Sequence, residues 1–355
     1  MENNIKLEKT ENGYFAIASE RYFKINEVTY EILQAKISGR TTDEVSKEFE
    51  IKSDEIEQIW DKLNSKQVKK KKISKLFLII PSVINNSIGR LLAFLCQKYI
   101  FTMFILGFCA TLCHYLFFNN FKLLYANLGI IDYLIVLFIT VIIHEYGHIV
   151  TSYYRGLKNL NIYLGFFIIF PILYTKINDL VTKKFNDRLL VDFGGVYFQL
   201  IFFAILYLTG LFYQSDYIQL FLIIDLFIII INVIPFYFTD GYWLYADIFK
   251  IENLNAKSAL LFKELLHWRF NDGNFKKPVI LFYMAFKIII FGAIIAYVAV
   301  FLYSQSFYIG DTFYQIKESN GAIIVILRCL LVLLPYILLS LFIFNKIYSG
   351  YKRHH

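Results

Sequence analysis

The stretch Ile131-Asp132-Tyr133-Leu134-Ile135-Val136-Leu137-Phe138-Ile139-Thr140-Val141-Ile142-Ile143-His144-Glu145-Tyr146-Gly147-His148-Ile149-Val150 decides the fold. It is apolar over a length that crosses a bilayer, which takes about 20 residues of helix. Yet His144, Glu145 and His148 all fall within five residues near its C-terminal end. Ionisable groups inside a span are costly and mark function. Residues four apart on a helix project from one face, one turn apart. His144 and His148 can therefore share one Zn2+, with Glu145 beside them to handle a proton. A single His in an apolar helix is ordinarily a hydrogen-bonded core residue, and HExxH occurs by chance in soluble helices. Three such groups together in a span are not explained by packing, because their uncompensated burial is strongly unfavourable.

The rest of the chain agrees with a membrane setting. Of the 355 residues, 57% are hydrophobic and 18% charged, and the mean hydropathy is +0.52. Soluble domains carry about 45–50% apolar and about 25% charged residues, so an ordinary cytosolic enzyme and a disordered chain are both excluded. Residues 1–24 are mostly polar and lack the apolar core of a signal peptide, so the first hydrophobic segment is expected to act as an uncleaved anchor. Six spans are predicted, at 99–118, 131–154, 189–212, 218–237, 279–303 and 322–345. The polar loops alternate between strongly and weakly basic. Lys69–Lys72, Arg90 and Lys98 precede the first span; 155–188 and 238–278 are basic; 119–130, 213–217 and 304–321 hold at most one lysine each. The positive-inside rule then puts both termini in the cytoplasm of what the composition marks as a bacterial cell. The net charge of +8 follows this topology and needs no nucleic-acid partner. Cys96, Cys109, Cys113 and Cys329 form no CxxC pair and read as small apolar side chains. His114 reads as a packing residue, His354 and His355 as solvated, and Arg328 as a snorkelling residue.

Two imidazoles leave zinc short of the three protein ligands a catalytic site carries. Span four ends Ile231-Asn232-Val233-Ile234-Pro235-Phe236-Tyr237-Phe238-Thr239-Asp240-Gly241, an N-x-x-P-x-x-x-x-D-G element. Pro235 breaks the helix and Gly241 permits a turn, so Asp240 can point back into the bundle. Spans two and four run in the same direction, which puts His148 and Asp240 toward the same face. Asp192, Asp225, Asp247, Glu264 and His267 are rival carboxylate or imidazole ligands. Of these, Asp192 reads as a helix-terminal charge and Asp225 lies too far along span four.

HEYGH at 144–148 together with the N-x-x-P…DG element resembles the site-2 protease family of intramembrane zinc metallopeptidases, over about residues 130–245. The resemblance implies a three-helix core, His144, His148 and Asp240 as zinc ligands, Glu145 as catalytic base, and Asn232 as a substrate-positioning or oxyanion-stabilising side chain. The family's G-P-x-x-N element stands here as Gly195-Val196-Tyr197-Phe198-Gln199, so Gln199 takes the substrate-positioning place. A second Pro expected after Pro235 is replaced by Tyr237. The β-branched, aromatic run from Leu160 to Tyr174 resembles the family's membrane-embedded strands, whose free edge holds an extended substrate.

Residues 1–68 read as a small cytosolic α+β domain: a hairpin of 14–18 and 21–25, a helix from Asn26, a capping-box helix at Thr41-Thr42-Asp43-Glu44, and an amphipathic helix after Ser53. This winged-helix-like order resembles the precursor-peptide recognition element of ribosomal peptide maturation, which implies a leader peptide bound as an added strand. The acidic last helix (Asp54, Glu55, Glu57, Asp61) disfavours DNA. Residues 69–98 are expected to form a basic linker and interfacial segment, and 99–350 the protease domain. The parts joined imply a zinc endopeptidase that cuts a peptide precursor near the cytoplasmic membrane face, removing the leader of a modified peptide. Cleavage of a single-span protein such as an anti-sigma factor, and a non-catalytic transport or immunity module with a structural zinc site, are the alternatives.

Overall fold

The computed structural model describes residues 5–11, 13–18, 21–64, 73–118, 128–167, 170–213, 215–235, 239–251, 253–266 and 278–290, with 292, 293, 296 and 300. The chain divides into two units, residues 1–253 and 254–355. The first begins with an antiparallel meander, β1 (Ile5–Thr10), β2 (Gly13–Ala18) and β3 (Arg21–Ile25), in the order β1-β2-β3. The expected hairpin is thus its second half, and the alternation of Ile5 and Leu7 with charged neighbours supplies a further strand. Three helices follow: α1 (Glu27–Ile37), α2 (Thr42–Phe49) and α3 (Ser53–Asn64). Asn26 caps α1 by accepting from the Thr29 amide at 2.8 Å. Thr41 and Glu44 close a reciprocal capping box on α2. Ile5, Ala16, Ala18, Leu33 and Leu63 form one apolar cluster, and Ile32, Val45 and Ile56 a second.

The segment expected at the interface between 76 and 95 is not one continuous element. Ile73–Ile80 is a strand, β4, and Ser82–Leu92 a helix, α4, divided at Pro81. The strand forms because its β-branched and aromatic residues find a partner far along the chain. It pairs antiparallel with β5 (Ile162–Phe167), which pairs with β6 (Phe170–Thr175), so the second sheet runs β4-β5-β6. The registers include Ile80 opposite Ile162 and Ile162 opposite Thr175. Asn85 and Asn86, which look like polar interruptions in the sequence, tie α4 to the chain entering β5. Asn85 Nδ2 donates to the Leu160 carbonyl at 2.9 Å, Asn86 Nδ2 donates to Asn159 Oδ1 at 2.9 Å, and the Ser82 amide donates to Asn161 Oδ1 at 2.7 Å. Phe77, Leu78, Val83, Ile84 and Leu91 remain exposed on these two elements.

Among the described residues four helices are long and apolar enough to cross a membrane, as in a helical membrane protein: α5 (Lys98–Phe118), α6 (Ile130–Tyr154), α8 (Gly194–Phe212) and α9 (Asp216–Val233). The expected third span starts later than predicted. Residues 185–192 form a separate helix, α7 (Phe185–Asp192), and the chain turns at Phe193 before α8. Asp192 therefore stands outside the span. The fourth ends at Val233, because Pro235 cannot continue it and biases the residue before it away from helix. Then come α10 (Asp240–Ile248) and, in the second unit, α11 (Leu254–Leu266) and α12 (Pro278–Ile290). Only the first part of the expected span 279–303 is described, as α12; the span expected at 322–345 lies outside the described residues.

Small residues set the helix spacing in the first unit. A Cβ on Gly147 would lie 2.6 Å from the Gly194 carbonyl carbon and 2.8 Å from Gly195 Cα. The α6 and α8 backbones are in contact there, the arrangement small residues permit between membrane helices. Phe108, Tyr115, Val196, Phe203, Tyr207, Leu222 and Ile229 pack α5, α8 and α9 into one core.

Candidate metal centre

The α6–α8 crossing brings a polar stripe of α6 into the protein interior. Thr140, His144, Glu145 and Thr151 are buried. Asp240, the first residue of α10, returns to meet this stripe across 92 residues of sequence. Its Oδ2 lies 3.0 Å from His144 Nε2 and 3.1 Å from His148 Nε2, and the two Nε2 atoms are 3.3 Å apart. Thr239, just before it, fixes the turn by donating its hydroxyl to the Ile234 carbonyl at 2.5 Å. A Cβ on Gly241 would lie 2.6 Å from that same carbonyl oxygen, so the turn requires glycine at this place.

The three donor atoms fit a divalent metal ion. Ligands of a tetrahedral ion at roughly 2.0–2.1 Å stand about 3.4 Å from each other. The observed separations of 3.0 to 3.3 Å are within a few tenths of that. Both imidazoles also present the correct nitrogen. His144 Nδ1 lies 2.9 Å from Gln199 Oε1, and His148 Nδ1 lies 2.8 Å from the Val191 carbonyl. Each Nδ1–H thus donates outward, and each Nε2 is left as a lone pair facing Asp240. Among the described residues this is the one cluster of His, Cys, Asp and Glu side chains that can hold a metal ion.

Glu145 is buried next to the first histidine, and its Oε2 accepts a hydrogen bond from Thr175 Oγ at 2.8 Å. Thr175 ends β6, so the strand that closes the second sheet also holds this carboxylate. Asn232 Nδ2 stands 3.5 Å from His144 Nδ1, at the limit of contact. Gln199 turns one end of its amide to His144 and the other to Asp225, with Nε2 donating to Asp225 Oδ1 at 3.2 Å.

The rival ligands go elsewhere. Asp225 reaches the site only through Gln199. Asp247 pairs with Arg188 Nη2 at 2.7 Å, and burial, opposed by that guanidinium, raises its carboxyl. Asp192 hydrogen-bonds Asp247 and lies near enough to His148 and Asp240 to interact with their charges, but it supplies no atom to the three-donor cluster. Glu264 belongs to the second unit, and His267 lies outside the described residues. His114 bonds the Tyr207 hydroxyl, as a packing histidine does. Cys96 is buried, whereas Cys109 and Cys113 are exposed on α5; Cys329, Arg328, His354 and His355 lie outside the described residues.

Sequence reasoning had no hold on Thr175 or the Val191 carbonyl, since nothing in a strand-ending Thr or a backbone oxygen marks it as a partner of a distant side chain. The signal for Asp225 was present, a lone carboxylate in an apolar span, but its distance along α9 hid the intervening amide. The chain matches no family model, no curated protein and no solved structure.

Proposed function

We propose that this protein is a membrane-embedded zinc endopeptidase. It cleaves a peptide precursor near the cytoplasmic membrane face, with leader removal from a ribosomally made modified peptide as the leading role. The observation that carries the reading is the convergence of His144, His148 and Asp240 beside a buried, tethered Glu145. A structural zinc site takes four protein ligands, whereas a catalytic site keeps one position open. Three donors converge among the described residues, which favours the catalytic reading over a structural site.

Bound there, zinc supplies Lewis acidity, which polarises a peptide carbonyl and brings the pKa of water toward neutrality. Asp240 and the two Nε2 atoms hold the ion. Glu145 takes the proton of the attacking water and returns it to the leaving amine. Thr175 keeps the Glu145 carboxylate oriented between those transfers. Asn232, beside the His144 ring, is placed to hold the scissile segment. The three-stranded sheet supports recognition of an extended chain: β6 is an edge strand, and it ends at the residue that holds Glu145. The exposed apolar residues of β4 and α4 suit contact with lipid.

The role of residues 1–68 as leader-binding domain rests on the order β1-β2-β3-α1-α2-α3, the order of the elements it resembles. Its β3 is an edge strand that can take a further strand. Tyr22 of β3 bonds Asp179, and Lys184 pairs with Glu11 at 2.6 Å, joining this domain to the chain just after β6. A peptide held on the first domain is therefore close in connectivity to the strand beside Glu145.

The test is to trap substrates on full-length Glu145→Gln in its native membrane, identify them by mass spectrometry, and present them to purified wild type. Wild type is expected to cut the trapped peptide at one bond and Glu145→Gln to leave it intact. Equal cleavage by both, or no cleavage by metal-containing wild type, refutes the proposal.

A further inference from the structure

Asp225 sits in the middle of α9, between Ile224 and Leu226, and is fully buried. A carboxyl group in an apolar span is strongly disfavoured unless it is used. Its Oδ1 accepts from Gln199 Nε2 at 3.2 Å, and its Oδ2 has no hydrogen-bond partner among the described residues. Gln199 is itself fully buried, and its Oε1 faces His144 Nδ1 at 2.9 Å. The three residues come from three helices, α6, α8 and α9, and form one continuous relay ending at a candidate metal ligand.

An amide side chain has two ends of nearly equal shape and opposite polarity. Turned the other way, Gln199 would set its N–H against the Nδ1–H of His144 and its oxygen against the Asp225 carboxyl. The carboxylate therefore decides which way the amide faces. The amide, in turn, decides which imidazole nitrogen carries the proton. We infer that Asp225 is a positioning residue of the metal centre: through Gln199 it fixes His144 as the Nδ1–H tautomer, leaving Nε2 free to bind a divalent metal ion. It is the carboxylate–imidazole–metal arrangement with one amide inserted. The inference rests on the metal-centre reading of His144, His148 and Asp240.

The experiment uses the full-length protein in detergent, stripped of metal and titrated with Co2+ alone, then with Zn2+ in competition with a chromophoric chelator. The readouts are affinity and the visible absorption band of bound Co2+, neither of which requires a substrate. Wild type is expected to bind one ion and His148→Ala none. If wild type binds none, or His148→Ala binds like wild type, the metal-centre reading itself falls and the relay falls with it. Given that reading, Asp225→Leu removes the acceptor and is expected to weaken binding by about 10–100-fold and to shift the Co2+ band. Asp225→Asn keeps an acceptor and stays close to wild type. Gln199→Glu places two carboxyl groups together and weakens binding. Gln199→Glu with Asp225→Asn restores it, because the new Asn donates to the new Glu, which still accepts from His144. A merely structural Asp225 would not produce that rescue. Wild-type affinity and an unshifted band in Asp225→Leu overturn the inference with the metal site intact. Where Asp225→Leu does not fold, the double variant decides: no gain over Gln199→Glu overturns it.

Discussion

Substituting Gly195 by Ala tests whether the α6–α8 crossing is what positions the candidate metal ligands. A Cβ at this position would stand 2.6 Å from His144 Nε2 and 2.7 Å from its Nδ1. Comfortable carbon contacts begin near 3.5 Å, so the ring would be roughly 1 Å too close. Moving the helices apart to make room would open the packing of Gly147 of α6 against the Gly194 backbone. The ring must therefore move, and metal–ligand distances tolerate only about 0.2 Å. Gly195→Ala should weaken metal binding by at least about 100-fold, the upper end of what loss of one outer hydrogen bond does. Overpacking should also cost about 1–3 kcal/mol of stability, offset in part by the higher helix propensity of Ala. Gly107→Ala is the control, since nothing lies within 4 Å of a Cβ there. The assay is metal retained per chain after dialysis against graded free zinc, with a thermal melt of each variant. If Gly195→Ala retains zinc as wild type does, the close approach does not position His144 and the packing account is wrong.

Three further outcomes follow from the same contacts. Thr175→Val should slow peptide cleavage while zinc content stays unchanged, because it releases the Glu145 carboxylate from a charge-assisted bond worth about 1.5–3 kcal/mol; a parallel fall in zinc would contradict the separation of base from metal. Asn85→Leu removes a fully buried amide that donates to the Leu160 carbonyl and should lower stability by about 1 kcal/mol in a thermal melt; an unchanged melt would show that α4 does not depend on this tie. Thr41→Ala removes the α2 N-cap and should cost about 1 kcal/mol, read as faster amide exchange confined to α2. In the wild type the Thr41 amide and hydroxyl hold the Glu44 carboxyl below its ordinary value. Its contribution is thus present above the unfolded pKa and fades as the pH falls through the folded one. The protection of α2 amides, taken relative to their intrinsic exchange rates at each pH, should fall on acidification, and should fall less in Thr41→Ala.

The candidate metal centre was legible because its residues sit in local patterns. His144 and His148 are one helical turn apart, and Pro235 and Gly241 announce a break and a turn around Asp240. The contact between Asp240 and the histidines spans 92 residues, and the shared direction of α6 and α9 was enough to anticipate it. The parts that were not legible depend on pairing between distant segments. Ile73–Ile80 is a strand only because Ile162–Phe167 lies beside it, and no local pattern distinguishes that run from an interfacial helix. The polar residues Asn85 and Asn86 argued against a span, correctly, but their partners at 159–160 could not be read from spacing. The start of α8 was misplaced because Leu189, Leu190 and Val191 extend the apolar run, whereas the backbone turns at Phe193, before the glycine pair that meets α6. In the first domain β1 was overlooked despite its alternation, since a short strand at the start of a polar stretch carries little apolar weight.

The proposed binding of one zinc ion by His144, His148 and Asp240 underlies the catalytic reading. It is tested most directly by X-ray absorption at the zinc edge on the purified full-length protein, with metal content measured on the same sample. The expected result is one zinc per chain, with a shell of nitrogen and oxygen at about 2.0–2.1 Å, imidazole scattering from two rings, and loss of the ion in Asp240→Ala. A protein that retains no stoichiometric metal, or one whose zinc shows sulfur at about 2.3 Å, would contradict it.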